Sequence, residues 1–175
     1  TDAIVMRHSA EGAPLYATKA VDPIIINAGD GAHEHPTQAL LDMYSILEKK
    51  KSIEGLKVVI LGDIMHSRVA RSNIYGLTKM GADVHLAGPR TMVYPEFEKL
   101  GVTVHHDIRE AVADADVVNV LRIQLERIHS ALYPTNREYA RIFGINNDVL
   151  KLAKDDVMVM HPGPMNRGLE IAPDV

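Results

Sequence analysis

Residues 58–87 read VVILGDIMHSRVARSNIYGLTKMGADVHLA, and this stretch decides the fold. Apolar, β-branched runs at 58–61 and 84–87 have the composition of strands buried on both faces of a parallel sheet. Between them, apolar residues recur on one helical face: Ala70, Ile74 and Leu77. Ser67 is a typical N-cap, and Gly81 is typical just beyond a helix end. The stretch therefore predicts a strand–helix–strand unit.

The same alternation continues on both sides of this unit. Strands are predicted at residues 4–6, 24–27, 58–61, 84–87, 102–105, 117–121 and 157–160, and all of these apolar runs are expected to be buried on both faces of a parallel sheet. Helices are predicted at residues 36–50, from Ser67 onward, and around 95–100, 107–114, 136–143 and 146–153. Strands and helices that alternate in this way are typical of a doubly wound sheet with right-handed crossovers.

The fold class is therefore α/β, with two doubly wound parallel-sheet domains. Only the first two strands precede the helix at 36–50, and two strands do not form a stable sheet alone. We expect the first domain to be represented only by its C-terminal part. The predicted boundaries are 1–36 for that part, 37–50 for a connecting helix and 51–175 for the second domain.

Composition excludes several classes of function. Apolar residues make up 46% of the chain and charged residues 24%, with a net charge of −4 and a pI near 6.1. These values predict no nucleic-acid partner, and no apolar run approaches the ~20 residues of a membrane helix. The absence of cysteine excludes disulfides, a thiolate nucleophile and cysteine-built metal sites. We expect a cytoplasmic protein with no membrane partner.

Polar, chargeable residues follow many of the predicted strands. They are Arg7 and His8, then 33–38, His66 to Arg68, Arg122 with Gln124, and 161–168. Ligands of open α/β sheets bind outside the carboxyl ends of the strands. Guanidinium groups form forked hydrogen bonds with carboxylates and phosphates. The pattern predicts a site for such anions.

These residues also admit other interpretations. Gly62 and Asp63 resemble the start of a dinucleotide fingerprint, but the spacing G-x-G-x-x-G is missing. The segment 33–35, His-Glu-His, lacks a third metal ligand at a sensible spacing. Neither a metal nor an organic cofactor is therefore expected. Arg68, in the first turn of a helix, is placed unfavourably for the helix dipole, which favours a role in binding. Arg122 fits a ligand contact and an interdomain salt bridge equally well.

Five segments resemble the aspartate carbamoyltransferase family in the order in which they occur. They are Val5-Met6-Arg7-His8, the run Asn27-Ala28-Gly29-Asp30-Gly31 followed by His35-Pro36-Thr37-Gln38-Ala39-Leu40-Leu41-Asp42, Gly62-Asp63 with Ser67-Arg68-Val69-Ala70-Arg71-Ser72, Leu121-Arg122-Ile123-Gln124-Leu125-Glu126-Arg127, and His161-Pro162-Gly163-Pro164-Met165-Asn166-Arg167-Gly168. The resemblance runs essentially end to end. It implies transfer of a carbamoyl group from carbamoyl phosphate to L-aspartate, a step of pyrimidine biosynthesis.

For carbamoyl phosphate, the resemblance implies a set of five residues. Arg7 and His35 would be catalytic and would hydrogen-bond the carbonyl oxygen, where negative charge develops. Gln38 would hold the carbamoyl amide, and the backbone carbonyls of Gly163 and Pro164 would steer the amine and phosphate groups.

For aspartate, the resemblance implies Arg68 on the α-carboxylate and Arg122 on the β-carboxylate, with Gln124 supporting the second. Many family members have threonine after the residue matched by Arg68, and Val69 stands there in this chain. Two forked contacts would fix the amine for attack.

The resemblance also implies partners and a difference from the family. The phosphate-binding loop that precedes the Arg7 strand in the family, a serine and a lysine lent by a neighbouring subunit, and a closing C-terminal helix have no counterpart here. We expect a fragment that is inactive alone, from a homotrimer. The trimer being isolated, being held by regulatory chains and docking with dihydroorotase all stay open. The alternatives are ornithine carbamoyltransferase and a non-catalytic assembly fragment. Two strand-end arginines and the lack of cysteine favour a dicarboxylate acceptor.

Overall fold

A computed structural model describes residues 1–123 and 133–175. Strands and helices alternate through both ranges, as predicted. The elements are β1 (Ala3–His8), α1 (Ala13–Ala17), β2 (Ile24–Asp30), α2 (Pro36–Lys50), β3 (Lys57–Leu61), α3 (Arg68–Lys79), β4 (Asp83–Ala87), a 3-10 helix (Pro95–Leu100), β5 (Thr103–His105), α4 (Ile108–Val112), β6 (Val117–Val120), α5 (Asn136–Phe143), α6 (Asn147–Leu150) and β7 (Met158–Met160).

The strands form two parallel sheets. β1 pairs with β2, and the other five strands form a sheet in the order β5-β4-β3-β6-β7. The chain winds outward from β3 through β4 to β5, and then crosses back to place β6 beside β3. The direction of winding therefore reverses between β3 and β6, at the position where open α/β sheets bind ligands. The predicted α/β class with parallel sheets is confirmed.

The five-stranded sheet is buried on both faces, as its apolar strands predict. Val58 and Ile60 of β3 lie in one apolar cluster, and Val59 and Leu61 lie in a second cluster on the opposite face. All four side chains are inaccessible to solvent. This rigid sheet carries the residues that follow β3, β6 and β7.

The smaller sheet corrects one expectation. Val5 of β1 is 68% exposed and Ile24 of β2 is 69% exposed, so the prediction that these strands are buried on both faces is wrong for the described chain. Within the described residues β1 and β2 pair only with each other, and α1 and α2 are their main helical contacts. Their side chains are therefore left accessible.

Several helices also differ from the predictions. α1 was not predicted, the helix expected at 95–100 is a 3-10 helix, and the helices expected at 107–114 and 146–153 are shorter than predicted. α3 begins after Ser67, whose Oγ accepts a hydrogen bond from Ala70 N, as the sequence predicts. Within the described residues, no helix is both long and apolar enough to span a bilayer.

Candidate active site

A cleft of about 220 Å³ opens between the two sheets, at the carboxyl ends of their strands. Its lining comes from β1, α2 and α3, and from the segments after β6 and β7. The lining residues are Arg7, His35, Gln38, Ser67, Arg68, Val69, Leu121, Arg122, Pro162, Gly163 and Pro164. Three of them carry guanidinium groups, and none of these lining residues is acidic. The cleft is therefore suited to anions.

The structure brings together most of the residues singled out in the sequence. Of the predicted site residues, the lining includes Arg7, His35, Gln38, Arg68, Arg122, Gly163 and Pro164. Gln124, the remaining one, lies outside the described residues. Their placement follows from the topology, because parallel strands end at a common edge.

The end of β2 and the residue that follows it, residues 27–31, are called the 27–31 turn below and are held together by the buried carboxylate of Asp30. This carboxylate accepts hydrogen bonds from Gly12 N at 2.6 Å, Asn27 Nδ2 at 3.0 Å and Glu34 N at 3.1 Å. His33 Nδ1 lies 3.0 Å from Asp30 Oδ2. Burial alone would raise the pKa of Asp30, but these hydrogen bonds outweigh it and lower the pKa from 3.8 to about 2. The carboxylate is thus charged at neutral pH and fixes the shape of the turn.

Arg68 connects this turn to the larger sheet. Its side chain is 5% exposed, and its Nη1 donates a hydrogen bond to the Gly31 carbonyl at 3.3 Å. The guanidinium also lies against Gly29, where a Cβ would approach Arg68 Cζ to 2.9 Å. Gly29 has a φ of +116°, which glycine tolerates best. Arg68 therefore lines the cleft and links the two sheets at the same time.

Arg7 lies in a local irregularity of the small sheet. β1 extends through His8, further than predicted, and its register with β2 shifts between Met6 and His8. Such irregularities re-aim side chains and are frequent next to active sites. In this chain the irregular position is the one that contributes Arg7 to the cleft.

His35 is the N-cap of α2, and its hydrogen bonds determine its tautomer. Its Nδ1 accepts a hydrogen bond from Gln38 N at 3.3 Å, while its own backbone N–H donates to Ser72 Oγ at 2.9 Å. The neutral ring therefore carries its proton on Nε2. Burial, Arg68 and Arg7 lower the pKa of His35 below its usual 6.5. His35 is thus a neutral hydrogen-bond donor at pH 7.

Gln38 is held by a buried carboxylate one turn further along α2. Its Nε2 donates to Asp42 Oδ1 at 2.8 Å. Asp42 Oδ2 accepts from Asn73 Nδ2 at 2.7 Å and from Asn119 Nδ2 at 3.3 Å. Burial raises the pKa of Asp42, while these three hydrogen bonds act in the opposite direction. The network joins α2 to α3 and β6.

The loop after β7 is anchored by Glu170, a fully buried residue. Glu170 Oε1 accepts from Asn166 N at 2.9 Å and lies 3.3 Å from His161 Nε2. His161 Nδ1 in turn accepts from Gly163 N at 2.8 Å. The peptide between Gly163 and Pro164 is cis. These contacts hold the loop in the shape that lines the cleft.

Family models match almost the whole chain. Residues 1–48 match the carbamoyl-P binding domain of aspartate/ornithine carbamoyltransferase, and residues 54–175 match the Asp/Orn binding domain. The chain belongs to the aspartate/ornithine carbamoyltransferase family. The family resemblance drawn from the motifs is thereby confirmed.

Curated carbamoyltransferase relatives are similar over the whole chain. A relative from Ruminiclostridium cellulolyticum is 61% identical over 175 residues, covering 100% of this chain and 56% of the relative. One from Geotalea daltonii is 64% identical and covers 99% of this chain and 56% of the relative. Both are named aspartate carbamoyltransferase catalytic subunit. The chain therefore spans a little over half the length of these relatives.

Solved carbamoyltransferase structures share the fold. An aspartate transcarbamoylase from Trypanosoma cruzi, in complex with phosphate, has a TM-score of 0.83 at 31% identity and covers 99% of this chain and 58% of that chain. An ornithine carbamoyltransferase from Pyrococcus furiosus has a TM-score of 0.84 at 33% identity and covers 100% of this chain and 58% of that chain. The backbone alone therefore does not separate the two acceptor substrates of the family.

Three residues that shape the cleft were missed in the sequence. Asp30, Asp42 and Glu170 are buried carboxylates that hold cleft-lining groups or their loops. Asp30 and Asp42 lie inside the family motif segments, but spacing does not show what their side chains contact. Glu170 lies after the last motif, and no pattern in the sequence marks it.

Proposed function

We propose that the full-length protein transfers the carbamoyl group of carbamoyl phosphate to the amine of L-aspartate, giving N-carbamoyl-L-aspartate and phosphate. One observation carries the proposal. Three guanidinium groups and a neutral histidine, drawn from both sheets, line one cleft in which none of the described lining residues is acidic. Both substrates are polyanions, so a cleft of this charge attracts them together.

Carbamoyl phosphate is held by groups of the smaller sheet and of α2. Arg7 and the Nε2–H of His35 donate to the carbonyl oxygen, which gains negative charge as the amine attacks. A donor placed at a developing oxyanion lowers the barrier by about 2.7–4 kcal/mol. Gln38 Oε1 accepts from the amide of the carbamoyl group, and the carbonyls of Gly163 and Pro164 accept from the attacking amine and so orient it.

Aspartate is held by groups at the edge of the larger sheet. Arg68 binds its α-carboxylate and Arg122 its β-carboxylate, with Gln124 as a further contact. Two fixed carboxylates leave the amine little freedom, and this orientation contributes much of the rate. The amine nitrogen bonds to the carbonyl carbon, the bond from that carbon to the phosphate oxygen breaks, and the proton lost by the amine passes to the departing phosphate.

The main alternative is ornithine as the acceptor. Ornithine has one carboxylate and a second amine, so its binding requires an acidic or neutral acceptor group where Arg122 stands. None of the described lining residues is acidic, and this favours aspartate. The names of the curated relatives support the same choice.

The test is a transfer assay with carbon-labelled carbamoyl phosphate and the full-length protein. L-aspartate should yield N-carbamoyl-L-aspartate and an equal amount of phosphate. L-ornithine should react at least ~100-fold more slowly, because a site built for a carboxylate rejects a group that cannot pair with it. Preference for ornithine would establish the rival enzyme, and no transfer to either would establish a non-catalytic role.

A homotrimer in the cytoplasm, with or without regulatory chains or dihydroorotase, completes the proposal. Family membership is what supports it. Sedimentation of the full-length protein at several concentrations should give the mass of three chains, and a monomer at every concentration would reject the trimer.

A further inference from the structure

Asp42 lies in α2, and its side chain contacts residues of α2 itself and of two other elements, α3 and β6. Its side chain is buried, with a relative exposure of 5%. Gln38 Nε2, Asn73 Nδ2 and Asn119 Nδ2 lie 2.8, 2.7 and 3.3 Å from its oxygens. All three contacts are N–H donors, so Asp42 accepts hydrogen bonds at both of its oxygens. The carboxylate therefore orients every amide around it.

The orientation of Gln38 follows from this contact. Because the amide nitrogen of Gln38 faces Asp42, its Oε1 is the polar atom left for the cleft that Gln38 lines. A carbonyl-type oxygen accepts hydrogen bonds and cannot donate them. Gln38 is thereby made an acceptor toward the cleft, although a free glutamine amide could present either end.

We propose that Asp42 is a positioning residue that fixes the Gln38 amide with its oxygen toward the cleft and so selects a substrate carbonyl bearing NH2 over one bearing CH3. The inference rests on the proposed function and adds to it the origin of selectivity for the carbamoyl group. Acetyl phosphate is the matching probe, because it differs from carbamoyl phosphate by this one replacement. Its methyl group leaves the Gln38 oxygen without a donor, which a site built for hydrogen bonding penalises.

The amide groups of Asn73 and Asn119 determine which way an asparagine side chain would be oriented at position 42. Both use their amide nitrogens on Asp42 Oδ2, and neither Oδ1 has a hydrogen-bond partner among the described residues. In Asp42→Asn, the oxygen of the new amide satisfies these two donors, and its NH2 group then faces Gln38. Gln38 must rotate to offer Oε1 to that group. Its own NH2 then faces the cleft, where it meets the NH2 of the carbamoyl group.

The test compares two donor substrates in the full-length protein with aspartate as the acceptor. For wild type and Asp42→Asn, kcat/KM is measured with carbamoyl phosphate and with acetyl phosphate. The ratio of the two values should fall at least ~10-fold in Asp42→Asn, because the hydrogen bond that separates the substrates is lost. Thermal unfolding of the same samples reports structural damage separately.

Two further variants make the test specific. Asn73→Ala removes a hydrogen bond to the same carboxylate without touching Gln38, so it should lower the melting temperature and leave the substrate ratio unchanged. Asp42→Asn combined with Gln38→Glu restores an acceptor toward the cleft. The new carboxylate at position 38 accepts from the NH2 of the new amide at position 42 through one oxygen and presents the other oxygen to the substrate. The double variant should recover most of the ratio.

The outcomes separate the two proposals. An active wild type whose ratio is unchanged by Asp42→Asn overturns the role of Asp42 alone, and so does an equal fall in Asn73→Ala. If Asp42→Asn does not fold, the double variant is the deciding protein. Recovery of the wild-type ratio of kcat/KM values in the double variant supports the role of Asp42. A folded double variant without that recovery rejects the role, and so does failure of both variants to fold. A wild type without carbamoyl transfer overturns both proposals.

Discussion

His35 lies near two cations of the cleft, Arg68 and Arg7, which disfavour a positive charge on its ring. Because burial, Arg68 and Arg7 lower the pKa of His35, nitrogen NMR should show it titrating below 6.5, with the proton of the neutral ring on Nε2. His35→Gln identifies the resonance. A pKa above 6.5, or a proton on Nδ1, would contradict the assignment of His35 as a neutral donor.

Arg122→Ala tests the aspartate half of the cleft. Loss of a charge-assisted pair in a closed site costs about 2–5 kcal/mol, or roughly thirtyfold to several thousandfold in kcat/KM for aspartate. The dissociation constant of carbamoyl phosphate should barely change, because that substrate contacts other residues. Steady-state kinetics and equilibrium binding on the full-length protein measure the two quantities.

Arg141→Ala is the matched control for this substitution. Arg141 is exposed on α5 and does not line the cleft, so its removal should leave both quantities unchanged. If Arg122→Ala behaved like Arg141→Ala, the contact with the second carboxylate would be rejected.

The residues that line the cleft could be predicted from the sequence, because they stand at strand ends and helix starts. The buried residues that hold them in place could not be predicted. Arg68, Arg122 and His35 follow or cap predicted elements, so topology alone brings them to one edge. Asp42, by contrast, bonds residues 31 and 77 positions away in sequence. Sequence spacing carries no information on such contacts, because they depend on how helices pack on the sheet.

At the scale of elements, the turn at residues 27–31 is stabilised by a carboxylate whose charge depends on pH. Asp30 has a pKa of about 2 in the folded protein against 3.8 ordinarily, so it adds about 2 kcal/mol of stability above pH 4. This contribution is lost as the pH falls from about 4 to about 2. Asp30→Asn should therefore be less stable than wild type by about this amount at pH 7, and the difference should shrink in that acidic window.

Denaturant unfolding of both proteins at pH 7 and at pH 3 measures this difference. A gap of the same size at both values would show that Asp30 stabilises the turn without its charge, and would contradict the lowered pKa.

Long helices with a side-chain N-cap can be predicted from the sequence, and short helices without one cannot. α3 has twelve residues, a serine N-cap and a clear apolar face, and its start was predicted correctly. α1 has five residues and begins after Gly12 with no side-chain cap. One turn of helix is too short to show a period, so α1 could not be predicted from the pattern.

At the scale of the molecule, the site depends on two sheets meeting at their carboxyl edges. The sequence predicts a doubly wound sheet but not the order of its strands. The position of the reversal, between β3 and β6, is therefore seen only in the structure. The two-stranded sheet contributes Arg7 to the cleft, and the segments that follow β3 and β6 of the five-stranded sheet contribute Arg68 and Arg122. A ligand that spans the cleft must therefore contact residues from both.

The most direct measurement is calorimetric binding of N-(phosphonacetyl)-L-aspartic acid to the full-length protein. This compound carries a phosphonoacetyl group on the amine of aspartate, so it presents a phosphonate together with both free carboxylates. We predict one site per chain and a dissociation constant weakened at least ~10-fold by Arg7→Ala and also by Arg122→Ala. Binding that is unaffected by either substitution, or no binding to the wild type, would contradict a single cleft that holds both substrates.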